Sequence, residues 1–105
     1  MPKATRRDPN AARFGSIVTR LREERGWSIA QLARRTALNP THLGVLERGG
    51  NLPSLSTIIQ LGDAFGIDGA DIVREVEQMR REAHRRRIAG KQAAAAAAKD
   101  DPADS

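Results

Sequence analysis

The sequence predicts an all-α fold of five helices, and three observations support this prediction. Apolar residues recur three and four positions apart through most of residues 11–73, the spacing that places them on one face of a helix. Short breaks containing Gly, Pro or Asn separate these periodic stretches and are typical of turns. No stretch alternates apolar and polar residues with a period of two, so we expect no strand.

The first two helices are predicted from their apolar faces and end signals. Helix 1 has apolar residues at i, i+3, i+4 and i+7, namely Phe14, Ile17, Val18 and Leu21, and Gly26 ends it. Ser28 is the predicted N-cap of helix 2. The inward-facing residues of helix 2 are Ile29, Leu32 and Ala33, and Thr36 and Ala37 lead into a turn.

The next three helices are each predicted to start at a capping residue. Asn39 caps helix 3, with Pro40 at the first helical position, where a missing N–H has no effect, and Gly49 ends it. Ser54 opens helix 4, which ends at Gly66. Its apolar residues are Leu55, Ile58, Ile59, Leu61 and Phe65. We expect Asp68 to cap helix 5.

Composition divides the chain into four parts. They are a flexible basic arm at 1–10, a folded unit at 11–73, an extended Arg-rich helix at 74–89, and an Ala-rich, acidic-ended tail at 90–105. A short isolated alanine run is marginally helical in water, so we expect the tail to be flexible.

Helix 5 carries an apolar pattern that permits two interpretations. Its residues at spacings of four, three and four are Ile72, Val76, Met79 and Ala83, as in the interface of a two-stranded coiled coil, which suggests dimerisation. Alternatively, Ile72 and Val73 complete the core of their own domain, and Met79 and Ala83 lie on a fraying helix.

Composition also restricts the class of protein. The 105 residues allow one small domain, and the net charge of +5 favours a polyanionic partner. The chain has no cysteine, which agrees with a reducing cytoplasm. It also lacks a membrane-spanning apolar run, a phosphate-binding glycine loop, a nucleophile elbow and a metal-ligand motif. We expect a cytoplasmic protein that is not an enzyme and has no cofactor, metal or membrane partner.

The order and spacing of four motifs resemble those of a known family. The motifs are "LREERG", "LARRTALN", "LERG" and "PSL", and they resemble the lambda repressor and Cro-like helix-turn-helix proteins, often called the XRE family. The resemblance covers residues 14–73. It implies a five-helix lambda-repressor-like DNA-binding domain whose third helix enters the major groove of double-stranded DNA.

The turn between helices 2 and 3 agrees with this resemblance. Ala33 and Ala37 provide the small side chains that let two helices cross closely, while Leu43 and Leu46 anchor helix 3 to the core. Many family members have Gly at the position of Ala37. If φ is positive there, alanine costs roughly 1 to 2 kcal/mol.

The resemblance implies base contacts from helix 3 and from the start of helix 2. The residues at these positions are Thr41, His42, Val45, Arg48 and Ile29. Positions 40–45 contain no Gln, Asn, Lys or Arg, so two-bond contacts to guanine or adenine are absent from that stretch. We therefore predict that apolar contact and groove shape discriminate the bases, and that Arg48 reaches a base or a phosphate.

Phosphate contacts are expected around the same surface. Free N–H groups are expected around Ser28 at the start of helix 2 and in the loop of Gly49, Gly50 and Asn51. The candidates are Ser28, Arg34, Arg35, Asn39, Gly50, Asn51, Arg13 and, on the arm, Arg6 and Arg7. For any one of these charges the alternative is a solvated surface side chain. The resemblance also implies an ion pair between Arg22 and Glu47 that orients helix 3; the alternative is two solvated charges.

These features together predict a sequence-specific DNA-binding transcriptional regulator of bacterial or phage type, a repressor or autoregulator that acts by occupying an operator. We expect a nucleoid-associated homodimer, because one such domain buries little DNA. Two alternatives stay open. One is an adaptor that uses the same fold to bind a protein, suggested by the apolar Ile29, Pro40 and Val45. The other is a non-specific nucleoid protein that binds DNA through its basic helix.

Overall fold

The structure is a computed structural model that describes residues 8–99, with side chains as far as Lys91. The described residues form five α-helices and no strand, which confirms the predicted fold class. The helices are α1 (Pro9–Glu24), α2 (Ile29–Thr36), α3 (Pro40–Glu47), α4 (Leu55–Phe65) and α5 (Gly69–Lys99). None of them combines the length and apolarity needed to cross a lipid bilayer.

One aliphatic core joins the five helices. α1 packs on α3, α4 and α5, and α2 packs on α3 and α4. The fully buried large side chains are Leu32, Leu43, Leu46, Leu61, Ile72 and Val18. The four predicted core residues of helix 1 are also buried. Because α3 contributes two leucines to this core, the opposite side of α3 is directed outward.

α1 begins two residues earlier than the sequence analysis expected. The Asp8 carboxylate accepts a hydrogen bond from the backbone N–H of Asn10 at 2.8 Å, and Pro9 occupies the first helical turn. The assignment of residues 8–10 to an arm was therefore wrong. An Asp-Pro pair starts α1 in the same way that Asn39 and Pro40 start α3.

The turn between α2 and α3 uses a left-handed residue. Ala37 has φ 60° and ψ 20°, the only positive φ of a non-glycine residue among those described. The buried Thr36 hydroxyl donates to the Leu32 carbonyl at 2.9 Å and accepts from the Leu38 N–H at 3.2 Å. These bonds satisfy backbone groups at the end of α2, so the turn is held despite the unfavourable φ of Ala37.

Gly15 permits a close crossing of α1 and α3. A Cβ atom at this position would lie 2.5 Å from the Glu47 carbonyl oxygen and 2.9 Å from its carbonyl carbon. Both are backbone atoms and cannot move aside without shifting α3. A glycine inside a helix costs roughly 1 kcal/mol relative to alanine, and here it sets the distance between the two helices.

α5 differs from expectation in its apolar residues and in the position of its C-terminal end. Ile72 is fully buried in the domain, while Val76 and Met79 are half-buried against the core, so most of the predicted dimer seam is used within the chain. Val73, in contrast, stays 39% exposed and does not close the core.

The helix also continues through Gly90 to Lys99, because an alanine run that extends an existing helix needs no new nucleus. The expectation of a flexible tail at 90–105 was therefore wrong for residues 90–99, and residues 100–105 lie outside the described residues.

Two of the apolar residues that the sequence analysis named in helix 4 are exposed. Leu55 is 73% exposed and Ile59 is 50% exposed, whereas Leu61 and Phe65 are buried and Ile58 is half-buried. The buried and exposed apolar residues lie on different faces of α4. This helix therefore presents an apolar surface outward as well as inward.

Candidate nucleic-acid interface

The outward face of α3 begins with three exposed residues. Pro40, Thr41 and His42 are exposed, whereas Leu43 and Leu46 are completely buried. Because the two leucines fix the rotation of a helix only eight residues long, the N-terminal turn of α3 projects into solvent. This is the end of a recognition helix that approaches base edges when such a helix enters the major groove.

Arg48 brings a guanidinium group onto the middle of that face. Its backbone N–H donates to the Gly44 carbonyl at 3.1 Å. Its Nη1 lies 3.1 Å from the position that a Gly44 Cβ atom would occupy. The side chain therefore folds back toward the N-terminus of α3 over the space that glycine leaves open, as long helical side chains tend to do. Arg48 adds to α3 a strong hydrogen-bond donor that positions 40–45 lack.

Val45 and Ile29 are less available than the sequence analysis expected. Val45 is half-buried, and its Cγ1 would lie 2.8 Å from a Cβ atom at Gly50. Ile29 is also half-buried and packs against the core. Only part of each side chain faces solvent, so neither offers a full apolar surface to a thymine methyl group.

The start of α2 is closed by a capping box. The Ser28 hydroxyl accepts from the Gln31 N–H at 3.1 Å, and the Gln31 side chain accepts from the Ser28 N–H at 2.7 Å. Ser28 therefore has no free N–H for a phosphate, contrary to expectation. The first N–H groups of a helix lack intrahelical partners, so Ile29 and Ala30 supply the backbone donors at this end.

The loop after α3 also differs from its predicted use. The Gly49 N–H donates to the Leu46 carbonyl at 3.0 Å, and the Gly50 N–H donates to the Val45 carbonyl at 2.9 Å. The expectation that Gly50 offers a free N–H was therefore wrong, because both glycine amides close the end of α3. Asn51 follows them and is exposed.

Asn39 has a divided role at the start of α3. Its side-chain oxygen accepts from the N–H groups of Thr41 at 2.7 Å and His42 at 3.3 Å. The oxygen is thus used as a cap, while the amide NH₂ of the same exposed side chain stays free to donate to an anion.

The predicted phosphate-binding cations have different surroundings. Arg34 is exposed and forms no hydrogen bond or ion pair that the structure describes among residues 8–99. The Arg35 guanidinium stacks on Trp27, 4.2 Å from the ring centroid. Arg13 donates to the Asn10 side chain at 2.7 Å. Arg6 and Arg7 lie outside the described residues.

The ion pair between Arg22 and Glu47 is present and connects three elements. Nε and Nη2 of Arg22 donate to the two Glu47 oxygens at 2.7 and 3.0 Å, and Nη1 donates to the Trp27 carbonyl at 2.7 Å. The side chains are only 14% and 7% exposed. The hydrogen bonds with Glu47 raise the pKa of the Arg22 guanidinium. The pair thus fixes α3 on α1 and on the turn before α2.

A second arginine, Arg25, which the sequence analysis did not single out, joins the end of α1 to the end of α4. Arg25 donates to the Leu21 carbonyl and to the Phe65 carbonyl, both at 2.8 Å. Its guanidinium lies 5.0 Å from the Phe65 ring centroid, and Phe65 stacks on Trp27 at 6.0 Å. The sequence indicated only one part of this cluster, Arg25 two residues before Trp27, because Phe65 is 40 residues away from Arg25.

Comparisons with known proteins agree with this geometry. A family model described as "Helix-turn-helix domain" matches residues 13–74, more than half of the chain. The chain therefore belongs to the helix-turn-helix family, in the lambda repressor and Cro-like class that its motifs resemble.

Individual relatives have the same domain. The HTH-type transcriptional regulator SutR of Escherichia coli is 32% identical over 59 residues, 55% of this chain and 33% of that protein; the chain thus spans about a third of its length. An HTH-type regulator of Sinorhizobium fredii, y4dJ, is 30% identical over 64 residues, 61% of this chain and 83% of that protein. The crystal structure of the restriction-modification controller protein C.AhdI from Aeromonas hydrophila superposes with a TM-score of 0.58 at 30% identity, covering 66% of this chain and 98% of that one.

Proposed function

We propose that the protein is a sequence-specific regulator of transcription that binds double-stranded DNA and acts by occupying an operator. The observation that carries the proposal is the exposed N-terminal turn of α3 with the Arg48 guanidinium folded over Gly44. The names of the relatives as transcriptional regulators support it. Binding of this kind places the protein with the nucleoid in the cytoplasm.

Base reading in this proposal depends on Arg48 and Thr41. An arginine that donates two hydrogen bonds to guanine discriminates by roughly 1 to 3 kcal/mol. Thr41 contributes one hydroxyl and one methyl group, and the exposed His42 lies beside it. Val45 and Ile29 add partial apolar contact. Base reading in this proposal therefore combines the predicted groove-shape and apolar contacts with one charged hydrogen-bond donor, Arg48.

Backbone phosphates would be held by donors on both sides of α3. Arg34, the Asn39 amide and the Ile29 and Ala30 N–H groups lie before α3, and Asn51 lies after it. These contacts position a protein on DNA without reading sequence. Arg35 would contribute only if it left Trp27, and Ser28 acts by shaping the start of α2.

A homodimer would bring two such surfaces to one operator. An apolar surface between α4 and α5 supports it, lined by Leu52, Leu55, Ile58, Ile59, Val73 and Val76. We name this the α4–α5 apolar surface. Exposed apolar area of this kind is typical of protein interfaces, and a twofold axis through it would pair like residues from two copies. Among the residues of the predicted coiled-coil interface on α5, Ala83 and the exposed parts of Val76 and Met79 could add to a dimer contact.

Selection of bound fragments from random duplex DNA tests the proposal. We expect a two-fold symmetric motif, a loss of preference at one base pair per half-site in Arg48→Ala, and a loss at another in Thr41→Ala. Ser56→Ala, an exposed hydroxyl on α4, is the control and should leave the motif unchanged. A selection without any motif would overturn sequence specificity and favour the non-specific alternative.

Salt dependence separates DNA binding from the adaptor alternative. DNA affinity should fall steeply as salt rises because phosphate contacts release counterions. An apolar protein interface would not show this dependence.

A further inference from the structure

The positive charge of the chain lies mainly outside the domain that carries α3. Residues 11–73 contain seven arginines against six acidic residues, a net charge of +1. Residues 74–91 contain six arginines and one lysine against three glutamates, a net charge of +4. Both segments hold seven cations, but fewer acidic residues offset those of the second segment, which therefore attracts phosphates more strongly than the domain does.

Four basic residues of α5 lie on one face of the helix. They are Arg80, His84, Arg87 and Lys91, at i, i+4, i+7 and i+11, and all four are exposed. At 100° per residue they fall within about 60° of one another. We name this face the basic stripe. It lies about 90 to 110° around the helix from Ile72 and Met79, which pack on the domain. It continues, beyond the domain, the side of α5 that carries Val73 and Val76 of the α4–α5 apolar surface.

The cations of the basic stripe are not neutralised within the described part of the chain. Arg74 pairs with Asp71 and Arg81 with Glu77, whereas Arg80, Arg87 and Lys91 form no ion pair with any side chain the structure describes. Like charges one helical turn apart destabilise a helix by a few tenths of a kcal/mol per pair. A partner of opposite charge would remove that repulsion.

We propose that the basic stripe binds the phosphate backbone of duplex DNA as a second contact, separate from the one made by α3. The inference extends the proposed function and rests on it for the presence of DNA nearby. Successive stripe residues are three or four positions apart on a straight helix, a row of cations suited to a regularly charged polyanion. The stripe itself reads no sequence, because it offers phosphate contacts only.

A lipid surface fits the same residues less well. Helices that lie in a membrane interface combine a basic face with a broad face of Trp, Phe or Leu. Within residues 80–91 the only large apolar residue is Ile88, 38% exposed, and the other residues from 84 to 91 are basic, alanine or glycine. Duplex DNA therefore fits the basic stripe better than a lipid surface does.

The chain provides a matched control for testing this proposal. The stripe variant is Arg80→Gln with Arg87→Gln and Lys91→Gln. The control variant is Arg74→Gln with Arg81→Gln and Arg85→Gln. Both remove three positive charges from exposed residues of α5 at spacings of i, i+7 and i+11, but the control residues lie about 120° around the helix from the stripe. Circular dichroism and the urea midpoint followed by Trp27 fluorescence verify that each variant folds.

Affinity for a fixed duplex is measured as a function of salt for the full chain and both variants. The slope of log K against log salt changes by about 0.9 for each phosphate that the protein no longer neutralises. We expect the stripe variant to reduce the slope by about two to three and to bind at least tenfold more weakly at about 0.15 M salt. The control variant should change the slope by less than about one.

Three results would overturn the inference. They are equal losses of affinity in the two variants, no loss in either, or stripe-dependent binding to vesicles of anionic lipid with an unchanged DNA slope. Fragment selection with the stripe variant separates this inference from the proposed function. If the stripe variant retains the motif and its salt slope is unchanged, only the proposed stripe contact is rejected. If the wild-type chain selects no motif, the proposed function is rejected.

Discussion

At the scale of single residues, Ala37 carries a conformational cost in the turn that orients α3 on α2. Its φ of 60° is left-handed, which costs an alanine roughly 1 to 2 kcal/mol. The buried Thr36 hydroxyl and the packing of α2 on α3 maintain this conformation. The turn sets the angle at which α3 leaves α2, so a residue better suited to this φ should stabilise the domain without moving α3.

Ala37→Gly should raise the free energy of unfolding by about 0.5 to 1 kcal/mol, because the gain at positive φ exceeds the added entropy of glycine in the unfolded chain. Urea unfolding followed by Trp27 fluorescence measures it. Ala30→Gly, the same change at an exposed position of α2, should instead destabilise by up to about 1 kcal/mol. A destabilised Ala37→Gly would contradict the account of the turn.

Glycines 15 and 90 should respond in opposite ways to alanine. Gly15→Ala places a Cβ atom against the backbone of Glu47, so we expect a loss of about 1 to 3 kcal/mol. Gly90→Ala has no heavy atom within 4 Å of the new Cβ and should increase the helix content of α5 slightly. Urea unfolding and circular dichroism measure the two effects. Equal stability of Gly15→Ala and wild type would mean that α1 and α3 are not in close contact there.

At the scale of elements, the Arg22–Glu47 ion pair links α1 to α3. Glu47→Ala leaves a largely buried guanidinium without its carboxylate, which should cost about 3 kcal/mol. Glu24→Ala breaks the exposed pair with Arg20, whose side chains are 53% and 46% exposed, and should cost under about 1 kcal/mol. Urea midpoints compare the two. Similar losses would show that the Arg22–Glu47 pair acts as an ordinary surface pair.

The start of α5 should make stability depend on acid pH. Hydrogen bonds from Arg74 and from the Asp68 N–H lower the pKa of the Asp71 carboxyl. A lowered pKa in the folded state gives stability that is present above the ordinary aspartate pKa of about 3.9 and is lost as the pH falls through the lower folded value.

Asp71→Asn should therefore lower the urea midpoint near neutral pH and reduce its fall in acid. Midpoints measured between about pH 2 and pH 6 test this. Asp63→Asn, an exposed acid of α4 without a described side-chain hydrogen bond, is the control. An unchanged acid dependence in Asp71→Asn would contradict the assignment.

At the scale of the whole molecule, the α4–α5 apolar surface determines the expected assembly. Leu55→Ser combined with Ile59→Ser removes two of its most exposed side chains, 73% and 50%, and should convert a dimer to a monomer in sedimentation equilibrium. Ile88→Ser, 38% exposed on α5 beyond the domain, should leave the dimer intact. A monomeric wild type, or a dimer abolished only in Ile88→Ser, would reject this surface.

The sequence alone determined the helices and most of their ends. Periodic apolar residues and the caps Ser28, Asn39 and Ser54 were predicted and found, because helix signals act over three or four residues and are local in the chain. Asp8 and Pro9 carried the same signal, but their position in a polar segment led to their assignment to the arm.

Only the tertiary structure decided which residues remain available to bind. Gly50 and Ser28 use their N–H groups within the chain, Ile72 closes the core, and Leu55 and Ile59 are exposed. Arg48 reaches the middle of α3 because Gly44 leaves space for its side chain. Exposure and hydrogen-bond satisfaction depend on contacts between residues far apart in sequence, such as Arg22 with Glu47 and Arg25 with Phe65, and local periodicity carries no information about such contacts.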